Sequence, residues 1–147
     1  MLKIEISTRF MYNKDFNRVT EIDGNSGGNY TWDTDELYDE WKGYKGVGIV
    51  AVDNHDTILG FCIYNLNNKD CFEIKHLVID KKFRRSGIGT SIINRMKSKL
   101  NNCRYVLGCN VHEENLSFQL FLKKMSFKAN LIKHSSGDEF RFQYEKE

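Results

Sequence analysis

A basic segment that contains two glycines follows an apolar run near the middle of the 147-residue chain. It reads Arg84-Arg85-Ser86-Gly87-Ile88-Gly89, with Lys81 and Lys82 just before it. Glycines lack a Cβ, so an anion can approach the backbone closely. A helix beginning here would direct its unpaired N–H groups and the positive end of its dipole at that anion. The segment therefore predicts a site for a polyphosphate.

The elements on either side of the glycines fit this site. Residues 74–79 form an apolar β run that ends at Asp80. After Gly87, apolar residues recur at helical spacing, which predicts a helix. A P-loop is excluded because no Gly-Lys-Ser/Thr follows the glycines, and the dinucleotide fingerprint is excluded because Ile92 stands at its third glycine.

This strand, turn and helix resemble the coenzyme A-binding motif of the GNAT superfamily, the acetyl-CoA-dependent N-acetyltransferases. The family pattern is Gln/Arg-x-x-Gly-x-Gly/Ala at a strand-to-helix junction, and residues 84–89 match every specified position. Asn115 followed by Phe121-Leu122-Lys123-Lys124-Met125-Ser126-Phe127 resembles the family's fourth-helix motif, Asn with Leu-Tyr-Glu-Lys-x-Gly-Phe. The resemblance covers residues 47–127, whereas residues 1–46 match only in element order.

The resemblance implies acetyl-CoA as cosubstrate and no metal. Backbone N–H groups of residues 84–89 would hold the pyrophosphate, Asn115 would contact the pantetheine arm, and an N–H of the central strand would stabilise the reacting carbonyl oxygen. The implied binding residues are Leu77, Val78, Ile79, Arg84, Arg85, Ser86, Gly87, Ile88, Gly89, Thr90 and Asn115. An Asn that begins a helix is also a common N-cap, so Asn115 has a purely structural alternative.

Glu73 is the predicted catalytic base. An amine must lose a proton before it attacks a thioester, since a lysine-type ammonium has a pKa of about 10.4. A carboxylate near the thioester, acting directly or through a water, meets that need. Glu73 opens the central strand eleven residues before Arg84, which is the spacing of the general-base glutamate in the histone-acetyltransferase branch. The alternative is an ordinary carboxylate at the margin of the sheet.

Two positions depart from the family pattern. Leu122 stands where the usual general acid is a Tyr, and Asn110 stands where ribosomal-protein N-acetyltransferases carry a Glu. His76 and His112 flank the predicted site and are either proton shuttles or partly exposed structural histidines. Substitute acids are conceivable among Tyr105, Cys109, Ser117 and Ser126.

Composition bounds the remaining possibilities. A hydrophobic fraction of 40% excludes a disordered chain, and a net charge of +2 argues against a nucleic-acid-binding module built on residues 81–104. The four cysteines lack metal-ligand spacing, which predicts free thiols in a reducing cytoplasm, although a disulfide between Cys62 and Cys71 stays open. No apolar run approaches membrane-spanning length, so we expect a soluble protein.

The pattern along the chain predicts one α/β domain over residues 1–147 with the GNAT fold: a single mixed, mostly antiparallel sheet of six to seven strands, flanked by about four helices, with a splayed central strand pair. The expected element order is βααββββαβαββ, give or take one short element. Strands are expected at 2–7, 47–52, 57–66, 74–79, 105–111, 128–133 and 139–144, and helices at 13–22, 33–42, 87–100 and 115–125. A mobile loop is expected at 23–29, with Tyr30 and Trp32 beside it.

The sequence thus predicts an N-acetyltransferase that moves acetyl directly to a primary amine, as a monomer or homodimer. The acidic run within residues 31–40 favours a cationic acceptor, which can be a small molecule, a peptide, a protein or an aminoacyl-tRNA. The alternative is a catalytically inert acetyl-CoA-binding sensor or interaction module.

Overall fold

The structure is a computed structural model, and it describes residues 5–25, 32–133 and 137–146. Parts of three predicted features lie outside the described residues: the start of the first strand at residues 2–4, residues 26–29 of the predicted loop at 23–29 together with the neighbouring Tyr30, and residues 134–136 of the last hairpin. Within the described ranges, no helix is both long and apolar enough to cross a bilayer.

Seven strands and four α-helices follow one another in the described part of the chain. They are β1 (Ser7–Phe10), α1 (Phe16–Asn25), α2 (Thr34–Lys42), β2 (Gly46–Val52), β3 (Ile58–Asn65), β4 (Cys71–Ile79), α3 (Ile88–Lys99), β5 (Val106–His112), α4 (Leu116–Lys124), β6 (Lys128–Ile132) and β7 (Glu139–Glu145). The predicted order contained one strand too many before α3, because each of the three apolar runs between α2 and Asp80 forms a single strand.

One sheet contains all seven strands, in the order β1-β2-β3-β4-β5-β7-β6. Every pair is antiparallel except β4 and β5, which are parallel because α3 crosses over between them. The predicted mixed, mostly antiparallel sheet with four helices is therefore confirmed.

Two hydrophobic cores cover the two faces of this sheet. On one face α3 buries Ile92, Ile93 and Met96. On the other face α1 buries Val19 and Ile22, and α2 packs beside it in the same core. Alternating side chains of β2, β3 and β4 supply both cores, since successive residues of a strand point to opposite faces.

The first strand and the first helix both differ from the prediction. Ser7 already pairs with Val52, the last residue of β2, so β1 runs over Ser7–Phe10, and of the predicted strand at 2–7 only Ser7 is a strand residue among the described positions 5–7. The first helix continues to Asn25, which places Asp23 in its last turn and not in a loop. This position of Asp23 matters for the site described next.

Candidate active site

A groove opens between the two parallel strands at the centre of the sheet. Their pairing ends at Ile74 and Cys109, beyond which the strands diverge. Residues 75–79 of β4 and 109–112 of β5 line the two sides of the opening, and the start of α3 lines it as well. The groove has a volume of about 1320 Å³, which is ample for a coenzyme-sized ligand.

A β-bulge in β4 decides which side chains face this groove. Ile74 pairs with Tyr64 and His76 pairs with Ile63, so Lys75 is an extra residue with no partner on β3. The bulge shifts the alternation of the strand. As a result Glu73 and His76 point to the same face of the sheet, the one covered by α1 and α2.

Backbone N–H groups of β4 also face the opening. The N–H of Asp80 donates to the carbonyl oxygen of Leu59 on β3 at 2.8 Å. Because N–H directions alternate along a strand, the N–H of Val78 also points to β3, and those of Leu77 and Ile79 point into the groove. These two donors are placed where β5 no longer pairs with β4.

The two glycines of the basic turn have different tasks. Gly87 caps the N-terminus of α3 in the left-handed conformation, with a φ of 81°, and a Cβ added to it would meet no described atom within 4 Å. A Cβ on Gly89 would lie 3.1 Å from Cζ of Phe121, so Gly89 allows α3 to pack against α4. The helix end is therefore open to a ligand at Gly87.

Cationic side chains surround this open helix end. Arg84, Arg85 and Lys124 all line the groove. Apart from Ser86, every residue predicted to bind the cosubstrate lines it too: Leu77, Val78, Ile79, Arg84, Arg85, Gly87, Ile88, Gly89, Thr90 and Asn115. Within the described residues the Asn115 side chain makes no capping hydrogen bond at the start of α4, so its amide is available to a ligand.

Glu73 lies beside the groove and not in its lining. It borders a neighbouring cavity of about 540 Å³, and Lys75 and Asn110 line both spaces. Glu73 as a whole is 8% exposed. Its carboxylate accepts hydrogen bonds from Nη1 of Arg141 at 2.5 Å and from Nδ2 of Asn68 at 3.3 Å. The two oxygens of Glu73 are thus both engaged by protein donors.

His76 lines the groove itself. Its Nε2 lies 2.7 Å from Oδ1 of Asp23, and its ring stacks on Trp32 with 4.2 Å between the ring centroids. His112 also lines the groove, but its Nδ1 accepts a hydrogen bond from the N–H of Glu114 at 3.1 Å. His76 thus has a buried carboxylate as its hydrogen-bond partner.

The substitute acids are separated by position. Leu122 is fully buried in the core of α3 and α4. Cys109 and Ser117 line the groove, whereas Tyr105 and Ser126 do not. Burial raises the pKa of Cys109 to about 12, so its thiol stays protonated at neutral pH.

All four cysteines are free thiols. The disulfide between Cys62 and Cys71 does not form, because the register of β3 and β4 places Leu77 opposite Cys62. The cytoplasmic location that free thiols favour remains a prediction. No cluster of three metal-ligating side chains occurs in the part of the chain that the structure describes.

Sequence reasoning gave no individual role to several residues of this region. Glu36 of α2 and two aromatic residues of α4, Phe118 and Phe121, line the groove, and Asp23 supports His76. The spacing of Phe118 and Phe121 on one helix face was the available signal for those two. No local pattern connects Asp23 with His76, because 53 residues separate them.

The comparisons with known proteins identify the family of this chain. Three solved structures share its fold. Arabidopsis thaliana NAA60 in complex with a bisubstrate analogue is 18% identical, with a TM-score of 0.75 over 97% of this chain and 98% of that one. The Escherichia coli ribosomal-protein-S18-alanine N-acetyltransferase is 13% identical, with a TM-score of 0.77 over 95% and 91%. A variant of the spermidine N-acetyltransferase SpeG from Vibrio cholerae is 15% identical, with a TM-score of 0.75 over 96% and 94%.

A search of curated proteins finds no match to this sequence. The sequence model of the acetyltransferase (GNAT) family, in contrast, matches residues 12–127, which include both sides of the groove and the basic turn. The chain therefore belongs to the GNAT family of acetyltransferases.

Proposed function

We propose that this protein, as one domain over residues 1–147, transfers acetyl from acetyl-CoA directly to a primary amine, without an acetylated enzyme intermediate. The observation that carries the proposal is the continuity of a single groove. It joins the open N-terminus of α3 at Gly87 to the N–H groups of Leu77 and Ile79. Acetyl-CoA has the matching chemistry, with a pyrophosphate for the first part and a thioester for the second.

The residues that line the groove suit both ends of this cosubstrate. The helix end with Arg84 and Arg85 stabilises the pyrophosphate, and Asn115 supplies an amide to the pantetheine arm. When the amine attacks, negative charge develops on the thioester oxygen. Hydrogen bonds from Leu77 and Ile79 stabilise that charge, which is often among the largest contributions to catalysis.

The proposed acceptor is a cationic amine that enters from the α2 side. Trp32 and Glu36 line the groove there, and they offer an aromatic face and a carboxylate to an ammonium group. Two of the solved relatives carry an amine acceptor in their names, the ribosomal-protein alanine enzyme and the spermidine enzyme. Oligomeric state stays a prediction, as monomer or homodimer.

Glu73 remains the base predicted from the sequence. Because its cavity meets the groove at Lys75 and Asn110, a water in that passage would have to relay the proton. Arg141 and Asn68 already donate to the carboxylate, so one of them must yield when Glu73 takes a proton.

The test is transfer of labelled acetyl from acetyl-CoA to a panel of amines: spermidine, a peptide with an N-terminal alanine, polylysine and an aminoacyl-tRNA. We expect label in one acceptor class with the wild type. If Glu73 is the base, Glu73→Gln lowers kcat by on the order of 10² or more with little change in acetyl-CoA affinity. Glu21→Gln, at an exposed position on α1, is the matched control.

A binding-only sensor is the second candidate, and one observation favours it. Leu122, at the position of the family's usual acid, is fully buried and cannot donate a proton. Wild-type protein that binds acetyl-CoA but labels none of the four acceptors would support the sensor and overturn the transferase proposal.

A further inference from the structure

His76 is held by three different parts of the chain. Asp23 of α1 contacts its Nε2 at 2.7 Å, Trp32 stacks on the ring at an interplanar angle of 10°, and Phe61 of β3 meets the ring edge to face at 5.7 Å between centroids. The side chain is only 9% exposed, yet it lines the groove. Its orientation is therefore fixed at the border of the ligand space.

The contact with Asp23 assigns the proton on the ring. A carboxylate accepts, so Nε2–H is the donor, and the neutral imidazole carries its lone pair on Nδ1. Asp23 is itself fixed, because it is 1% exposed and its Oδ2 accepts the N–H of Trp32 at 3.1 Å. None of the described residues donates a hydrogen bond to Nδ1 of His76. Nδ1 can therefore accept a proton, and the buried carboxylate of Asp23 fixes the orientation of the ring.

Position on β4 brings this atom to the reacting end of the groove. His76 directly precedes Leu77, whose N–H faces the opening, and it comes after the bulge at Lys75. Nδ1 is the ring nitrogen nearer to the backbone of its own strand. By comparison, the Glu73 oxygens and Nδ1 of His112 already accept hydrogen bonds from protein groups.

We propose that His76, in place of the Glu73 predicted from the sequence, is the catalytic group that accepts the proton of the amine, and that Asp23 is its positioning residue. The proposal rests on the proposed acetyl transfer. The ammonium gives one proton to Nδ1, and the freed lone pair attacks the thioester carbon. The C–N bond forms, the C–S bond breaks and the second proton leaves with the sulfur as coenzyme A thiol. His76 then releases its proton to water.

A buried Asp opposite Nε2 contributes twice to this step. It keeps the lone pair on Nδ1 before the transfer, and it stabilises the imidazolium afterwards through a charge-assisted hydrogen bond. The other titratable and charged groups that line the same groove are Glu36 from α2, Lys75 on β4, Arg84 and Arg85 before α3, His112 from β5 and Lys124 from α4.

The experiment measures kcat, KM and acetyl-CoA affinity for His76→Gln and Asp23→Asn, from pH 6 to about pH 10, with the best acceptor of the panel. We expect each variant to lose on the order of 10² or more in kcat at pH 7, with acetyl-CoA affinity within about threefold of wild type. The deficit should narrow toward pH 10, because bulk water then deprotonates the amine.

The two variants and one control separate this role from folding. In Asp23→Asn the amide can donate to Nε2, which moves the ring proton to Nδ1 while the shape is preserved. His55→Gln, at an exposed histidine in the turn between β2 and β3, should behave as wild type. Melting temperatures identify a variant that fails to fold. If His76→Gln or Asp23→Asn does not fold, the kinetics of the other variant test the role of His76.

Each outcome has one meaning. A variant that folds and keeps kcat within threefold across the pH range overturns the role of His76 while the acetyl transfer stands, and so does a deficit that is equally deep at pH 7 and pH 10. Wild-type protein that transfers no acetyl overturns the proposed function and this role together. A pH-dependent loss in both folded variants establishes it.

Discussion

Asp15 is a buried carboxylate that the fold keeps ionised. Its side chain is 4% exposed and pairs with Arg9 at 2.8 Å, while Arg9 also pairs with Asp56 in the turn before β3. Burial alone would raise the pKa of Asp15, but the Arg9 guanidinium and the N–H of Tyr12 outweigh it and hold the pKa below its usual value. This network connects β1, the 3-10 turn that Asn13–Asp15 form just before α1, and the hairpin of β2 and β3.

Removing that charge should cost stability in a pH-dependent way. A carboxyl whose pKa is lower in the folded state stabilises the fold above its unfolded pKa of about 3.9, and the contribution disappears as pH falls through the folded value. We expect Asp15→Asn to lose about 1–3 kcal/mol of unfolding free energy at pH 7 and less below pH 4. Urea titrations at several pH values measure this. An equal loss at pH 7 and pH 3 would contradict the assignment, and Asp56→Asn, at an exposed partner, should lose less.

At the scale of elements, the start of α3 combines a backbone requirement with a ligand requirement. Gly87 needs a φ of 81°, which Asn tolerates and Ala does not, while any side chain at this position projects into open space beside the groove. We expect Gly87→Ala to lose about 1 kcal/mol of stability and Gly87→Asn to lose less. Both should weaken acetyl-CoA binding. Calorimetric titration and thermal melts measure the two effects separately, and unchanged affinity in both variants would show that the ligand does not approach Gly87.

Local elements were predictable, whereas their partners were not. The central strand, the basic turn and α3 follow from apolar periodicity and glycine placement, and they appear within a few residues of their predicted bounds. The bulge at Lys75 was not predictable because pairing with β3 creates it. Simple alternation would have placed Glu73 and His76 on opposite faces. The contact between Asp23 and His76 likewise depends on the packing of α1 against the sheet.

At the scale of the whole molecule, charge is separated along one groove. Arg84, Arg85 and Lys124 line it near α3, and Glu36 lines it from α2. Partly exposed charges are screened over about 10 Å at 0.1 M salt. We expect acetyl-CoA affinity to fall as salt rises from about 50 to 500 mM, with a shallower dependence in Arg85→Gln. Binding isotherms at four salt concentrations test this. Lys69→Gln, at an exposed lysine outside the groove, should keep the wild-type slope, and an equal slope in Arg85→Gln would refute the contact.

The sheet also has a mechanical character at the point where its central strands part. The groove interrupts an otherwise continuous sheet, and Ile74 and Cys109 are the last paired residues before β4 and β5 separate. Arg141 of β7 reaches across β5 to Glu73 on β4 and also donates a hydrogen bond to Oδ1 of Asn110 at 3.0 Å. It therefore connects β7, β5 and β4 next to the point where β4 and β5 separate. A cross-strand connection of this kind resists further separation of β4 and β5 when a ligand enters between them. The groove can therefore widen around a ligand at its open end while the rest of the sheet keeps its strand pairing.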